Sequence, residues 1–81
     1  MSLHELLDQV NDEASFLEFA RALLADHQSN EESWENGSIE QFLDGAISWA
    51  EATGLGASQG LANASPWKRA AVFLYCGKIY E

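Results

Sequence analysis

The stretch from Ser65 to Tyr75 constrains the fold of this chain more than any other. Ser65 and Pro66 suit the N-cap and first turn of a helix, since a serine side chain accepts a backbone N–H and proline has no N–H to leave unpaired. Apolar residues then cover nearly the whole circumference of the helix: Trp67, Ala70, Ala71, Val72, Phe73, Leu74 and Tyr75. A helix that is apolar all round is a buried one, so the sequence predicts a central helix surrounded by the others.

Two further helices are predicted at the start of the chain. Ser2 and Glu5 form a capping-box pattern in front of a short first helix. Asn11 or Asp12 can cap a second helix over about 12 to 28, and Ser15 with Glu18 is a second candidate start. Apolar residues recur in both segments at intervals of three and four, as one buried helix face requires: Leu3, Leu6, Leu7, Val10, Phe16, Phe19, Ala20, Leu23 and Leu24.

A third helix is predicted from a serine cap at Ser38 to a C-terminal stop at Gly54. Its buried face is expected to consist of Ile39, Phe42, Leu43, Ala46, Ile47 and Ala50. The connection over 53–65 contains three glycines and is expected to be flexible. No alternating pattern is long enough for a strand, so the sequence predicts an all-α fold. We expect a compact bundle of three main helices plus a short N-terminal helix, with 1–81 as a single domain.

The acidic residues are concentrated in one part of the chain. The net charge is -9, and residues 1–51 hold twelve of the thirteen acidic residues with Arg21 as their only base. Nucleic acid and anionic membranes are therefore excluded as expected partners, because binding them requires Lys and Arg to neutralise phosphates. The charge favours a basic protein instead.

The sequence also predicts a cytoplasmic location. Cys76 is the only cysteine and cannot form an internal disulfide, whereas small secreted domains usually depend on several. The N-terminus lacks the basic and apolar segments of a signal peptide. No apolar run approaches the roughly 18 residues that span a bilayer.

The polar segment before the third helix contains a tryptophan, Trp34, among acidic residues. One interpretation places its ring over the start of the third helix near Phe42, because a core this small cannot readily leave a tryptophan in water. The other makes it an exposed anchor for a partner. The acidic residues can likewise form a solvated face or an acidic docking patch. The predicted partner-binding residues are Glu31, Glu32, Trp34, Glu35, Glu40 and Asp44.

Two details of the fourth helix lead to further expectations. Lys68 and Arg69 lie in its first turn, where the helix dipole disfavours positive charge. We therefore expect acidic side chains of the earlier helices to pair with them; binding of an external anion is the alternative. Gly77 either ends the helix or allows a neighbour to approach closely.

The sequence contains only incomplete patterns for metal binding and catalysis. His4 and Asp8 lie one turn apart, like part of a zinc-protease motif, but the second histidine is replaced by aspartate and a third ligand is missing. Cys76 and His27 could in principle form a nucleophile pair, yet nothing in the sequence brings them together. We therefore predict no catalytic residue, no metal and no cofactor, and hence no enzyme.

Several residues together resemble a family of small bacterial proteins of unknown function. They are Trp34, Glu35 and Asn36, then Phe42, Leu43, Ala46, Trp49, Pro66 and Trp67, and finally Gly77, Lys78, Ile79, Tyr80 and Glu81. The resemblance covers roughly 14–81 and implies a small bacterial intracellular protein, without implying any activity.

Two functional hypotheses follow. The first is a small acidic interaction module, of immunity or inhibitor type, that binds a basic protein through the acidic loop and the front of the third helix. The second is a structural domain that forms a homodimer through exposed Trp49 and Tyr80.

Overall fold

The computed structural model describes residues 2–80, and these form four α-helices. The helices are α1 (Leu3–Asp8), α2 (Glu13–Asn30), α3 (Ile39–Thr53) and α4 (Pro66–Ile79). Short 3-10 helices at Glu31–Ser33 and Ala57–Gln59 lie in the two longer connections, and residues 2–80 contain no strand. The prediction of an all-α bundle with a short N-terminal helix is confirmed.

Each helix begins at a side chain that accepts a backbone N–H of the first turn. Such a cap stabilises a helix by about 1 kcal/mol relative to alanine, which makes the starts readable in the sequence. At the other end of α3, Gly54 has a left-handed backbone with φ 61°, as a C-terminal stop requires. The four N-caps are Ser2, Asp12, Ser38 and Ser65.

The predicted central position of α4 is confirmed, although the other helices do not enclose it fully. It packs against α1, α2 and α3, and its Ala71 is completely buried. Trp67, in contrast, is 38% exposed. The described residues extend over 33 × 27 × 15 Å, so the bundle is flat. Several apolar side chains therefore remain at the surface.

The predicted buried face of α3 is partly wrong. Ile39, Leu43 and Ile47 are 73%, 45% and 47% exposed. The helix is rotated so that its small residues Gly45 and Ala46 face α4, which lets the two helices approach closely. The buried residues of α3 are Gly45, Ala46, Trp49 and Thr53.

The prediction that Trp49 is exposed and forms a dimer contact is therefore wrong, because Trp49 is a core residue. Its side chain is 2% exposed, and its indole N–H donates to the side-chain oxygen of Gln59 at 2.9 Å. The connection that carries Gln59 consists of consecutive turns and a short 3-10 helix. One of these turns is held by Thr53, whose hydroxyl accepts from the N–H of Gly56 at 2.8 Å.

The predicted pairing of Lys68 and Arg69 with acidic side chains is wrong. Within residues 2–80, neither lies within ion-pair distance of a carboxylate. Lys68 Nζ donates to the carbonyl of Leu7 at 2.6 Å. Arg69 donates to the carbonyls of Gly54 and Leu55 at 2.8 and 3.0 Å.

Helix geometry explains these contacts. Leu7 lies in the last turn of α1, and residues 54 and 55 directly follow α3. Carbonyls at a helix C-terminus lack intrahelical partners and carry partial negative charge, so they accept well from cations. The two basic residues thereby bind α4 to the ends of α1 and α3.

Candidate protein-interaction site

Trp34 lies over the start of α3, as the structural interpretation predicted. Its ring stacks on Phe42 with centroids 5.9 Å apart, and the His27 ring lies nearly perpendicular to it with centroids 4.7 Å apart. The side chain is half-buried. Much of the indole surface therefore packs against other residues of the fold.

The polar atoms of Trp34 join it to an ion pair between α2 and α4. Its indole N–H and Lys78 Nζ both donate to the same carboxylate oxygen of Asp26, each at 2.8 Å. Lys78 Nζ also lies 5.7 Å from the Trp34 ring centroid, within cation–π range. The hydrogen bond from Lys78 is the main cause that lowers the pKa of Asp26; the bond from Trp34 acts in the same direction, and burial opposes both.

Asn36 caps the C-terminal end of α4. Its side-chain Nδ2 donates to the carbonyls of Gly77 at 3.1 Å and Tyr80 at 2.7 Å. The backbone N–H groups of Glu35 and Asn36 both donate to the carbonyl of Lys78, at 3.1 and 3.3 Å. The loop from Trp34 to Asn36 thus provides partners for carbonyls that the helix itself leaves unpaired.

Two glycines make room for this arrangement. A Cβ atom on Gly45 would lie 2.8 Å from Asn36 Nδ2 and 2.9 Å from the Tyr80 carbonyl oxygen. A Cβ atom on Gly77 would lie 2.8 Å from the ring of Phe42. Of the two roles expected for Gly77, close approach is the one observed, because α4 continues past it to Ile79.

We call this cluster the α4 clamp, and it brings together residues that are far apart in the sequence. It contains many of the residues on which the family resemblance rests. Glu81, the last of those, lies outside the described residues. The members of the α4 clamp are Asp26, Trp34, Asn36, Phe42, Gly45, Gly77, Lys78 and Tyr80.

Beside the α4 clamp, an open apolar groove of about 330 Å³ lies between α2 and the start of α3. Leu24 and Ile39 line it and are 60% and 73% exposed. His27, also on its wall, contacts the carbonyl of Gly37 through Nε2 at 3.3 Å. The lining residues are Ala20, Leu23, Leu24, His27, Trp34, Asn36, Gly37, Ser38, Ile39 and Phe42. The groove can accept an apolar side chain of a ligand.

The predicted acidic residues are exposed and lie next to groove residues in the sequence. Glu31 and Glu32 lie in the 3-10 helix Glu31–Ser33 just before Trp34, and Glu35 follows Trp34. Glu40 directly follows Ile39, with Asp44 one helical turn further along α3. Their participation in binding remains a prediction.

In the described residues Cys76 lies in the core and His4 pairs with Asp8. Cys76 is buried, and burial raises the pKa of its thiol to about 11. His4 and Asp8 form an exposed pair at 3.6 Å. Within residues 2–80, no three side chains of the types His, Cys, Asp and Glu come together as metal ligands would.

No helix between residues 2 and 80 combines the length and apolar character needed to cross a bilayer.

The family model of DUF7660, a family of unknown function, matches residues 12–81. The chain belongs to the DUF7660 family. The matched region includes every residue of the α4 clamp but leaves out α1. The sequence resemblance, expected over roughly 14–81, is thus confirmed as membership of a family of unknown function. No curated protein and no solved structure matches the chain significantly.

Proposed function

We propose that this DUF7660-family protein is an interaction module that binds a basic protein and catalyses no reaction. The observation that carries the proposal is the apolar groove, whose edges expose Leu24 and Ile39 beside an acidic segment. Exposed apolar surface of this kind, next to charged residues, is typical of protein-binding sites. We also propose that the module is located in the bacterial cytoplasm. By binding the surface of a basic protein there, it would act as an immunity protein or an inhibitor.

Charge supports the choice of a basic partner. The chain carries a net charge of -9, and Glu31, Glu32 and Glu35 surround Trp34 in the sequence. Complementary charge accelerates association and discriminates against acidic competitors. In this proposal Trp34 contributes one wall of the groove, because its N–H group and part of its ring are already bound within the α4 clamp.

A capture experiment tests the proposal. The tagged full chain is used as bait in a cell lysate at about 50 and 500 mM salt, where charge interactions are weakly and strongly screened. The double variant Leu24→Ser/Ile39→Ser removes both groove edges. The control variant Leu17→Ser changes a leucine that is 41% exposed on α2 outside the groove.

We expect a basic protein that wild type and the control capture at low salt. The groove variant should lose it, and high salt should weaken its capture. A partner retained equally by the groove variant, or one indifferent to salt, would contradict the proposal.

A homodimer is the second candidate, favoured by the exposed apolar residues Ile39, Leu43 and Ile47 on α3. The homodimer would contain two chains that each carry a net charge of -9. Salt should therefore strengthen dimerisation, because it screens the repulsion between them. Binding to a basic protein has the opposite salt dependence. Sedimentation equilibrium at low and high salt therefore separates the two candidates.

A further inference from the structure

The exposed side of α3 carries an apolar row that continues the groove. Ile39, Leu43 and Ile47 follow one another at four-residue intervals and are 73%, 45% and 47% exposed. Residues at this spacing form a ridge on a helix surface. Ile39 belongs to both the groove and the row, so the two form one continuous apolar surface. At a rise of about 1.5 Å per residue, the row is about 12 Å long, or roughly two helical turns.

An acidic row runs beside the apolar one. Glu40, Asp44 and Glu51 are exposed on the same helix. At about 100° per residue, these acids are offset by roughly 80° around the helix axis from the apolar row, on the side away from the buried face. Residues 39–53 include no Lys or Arg. A ligand on α3 therefore meets an apolar row and, next to it, uncompensated negative charge.

We propose, resting on the function proposed above, that the partner contributes an amphipathic helix that lies along α3. Its apolar residues, three and four positions apart, pack on the row and in the groove, and its Lys or Arg residues face the acidic row. Helix-in-groove binding of this kind is a common recognition mode.

The other common shapes of a bound segment fit less well. An extended segment adds to a sheet edge, and residues 2–80 contain no strand to receive it. A helix, in contrast, brings its own backbone hydrogen bonds to an apolar surface. A polyproline segment docks on aromatic-lined grooves, but the indole N–H of Trp34 already donates to Asp26. A second copy of the chain would place like charges against the acidic row.

The test uses ¹⁵N-labelled full-length protein and synthetic peptides of about 18 residues, long enough for several helical turns. The first peptide is made of Leu and Lys, with Leu at three- and four-residue intervals. The second has the same composition with its Leu residues two positions apart within one stretch, and the third is the first with Glu in place of Lys. Amide shifts are followed during each titration, for wild type, for Ile39→Ser/Leu43→Ser and for Leu17→Ser.

We expect the first peptide to shift the amides of residues 39–47 and of Leu24, and to bind more tightly than the other two. The Ile39→Ser/Leu43→Ser variant should bind it about tenfold more weakly, since two exposed apolar contacts are lost. Leu17→Ser should bind it like wild type.

The possible failures are distinguishable. Equal binding of both Lys peptides at the same residues would overturn the helical inference and leave the proposed basic partner standing. If neither Lys peptide binds at low salt, both the inference and the proposed function are contradicted. If the same amides shift on dilution of the protein alone, a second copy occupies the surface and the inference is wrong.

Discussion

Replacing Asn36 by alanine should destabilise the fold more than substitution of a half-buried polar residue usually does. The change removes two hydrogen bonds, to the carbonyls of Gly77 at 3.1 Å and Tyr80 at 2.7 Å. A hydrogen bond contributes about 1 kcal/mol net, and a carbonyl left without a partner adds a further desolvation cost. We therefore expect a loss of about 2–3 kcal/mol of unfolding free energy, a large fraction of the roughly 5–15 kcal/mol of an ordinary domain. At about 4–8 °C per kcal/mol for a small domain, the melting temperature should fall by roughly 10–20 °C.

Urea unfolding followed by circular dichroism measures this loss. Asn36→Asp is the more stringent variant, because it keeps the side-chain shape but replaces the donating NH₂ by an oxygen that faces two carbonyls. It should destabilise at least as much as Asn36→Ala. Asn63→Ala is the control, since Asn63 is exposed in the connection before α4. A loss below about 0.5 kcal/mol for Asn36→Ala, the size of ordinary surface effects, would refute the capping role.

Three further predictions follow from the α4 clamp and the core. Gly77→Ala should lower the melting temperature in a thermal scan, although alanine usually stabilises a helix by about 1 kcal/mol relative to glycine, because its Cβ would meet the Phe42 ring; a rise would show that the ring moves aside easily. The pKa of Asp26 is lowered in the folded state, so its contribution to stability is complete above the unfolded pKa of about 3.9 and is lost as the pH falls through the folded value. The stability advantage of wild type over Asp26→Asn in urea should therefore shrink below about pH 4, and an advantage that does not change with pH would contradict the ion pair. Cys76 should resist a thiol reagent at pH 8 until the protein is unfolded, since a pKa of about 11 leaves about 0.1% thiolate; rapid labelling of the native protein would show that the core around it opens readily.

The helix starts could be predicted because their signals are local. A serine or aspartate cap acts on N–H groups within its own first turn, so a few consecutive residues decide it. Ser2, Ser38 and Ser65 are predictable in this way, whereas for α2 the sequence offers Asn11, Asp12 and Ser15, and Asp12 is the observed cap. α2 continues to Asn30, two residues beyond the predicted end near residue 28.

The buried face of α3 could not be predicted because apolar residues extend around more than half of that helix. Ile39, Leu43 and Ile47 form one row, and Ala46 and Trp49 belong to the neighbouring one. Only one face can be buried. Close packing on α4 favours the face with small residues, which apolar spacing alone does not reveal. The groove was missed for the same reason, since it begins at Ile39, a residue assigned to the core.

The hydrogen-bond acceptors of Lys68 and Arg69 could not be predicted from the sequence, because they are set by the tertiary structure. Charge alone favoured carboxylates, which are abundant in the first part of the chain. The fold instead places the C-terminal carbonyls of α1 and α3 next to the start of α4. Trp34 could be placed correctly because a chain this small has few apolar residues for its core and cannot readily leave a tryptophan in water.

We propose that Trp34 and the α4 clamp maintain the fold and that the exposed groove edges are available for a partner. The most direct test compares the unfolding free energy in urea of Trp34→Ala with that of Leu24→Ala/Ile39→Ala. We expect a loss of about 3 kcal/mol for the first, from buried aromatic packing and the bond to Asp26, and less than about 1 kcal/mol for the second. Unchanged stability of Trp34→Ala, or unfolding of the groove-edge variant, would contradict the claim.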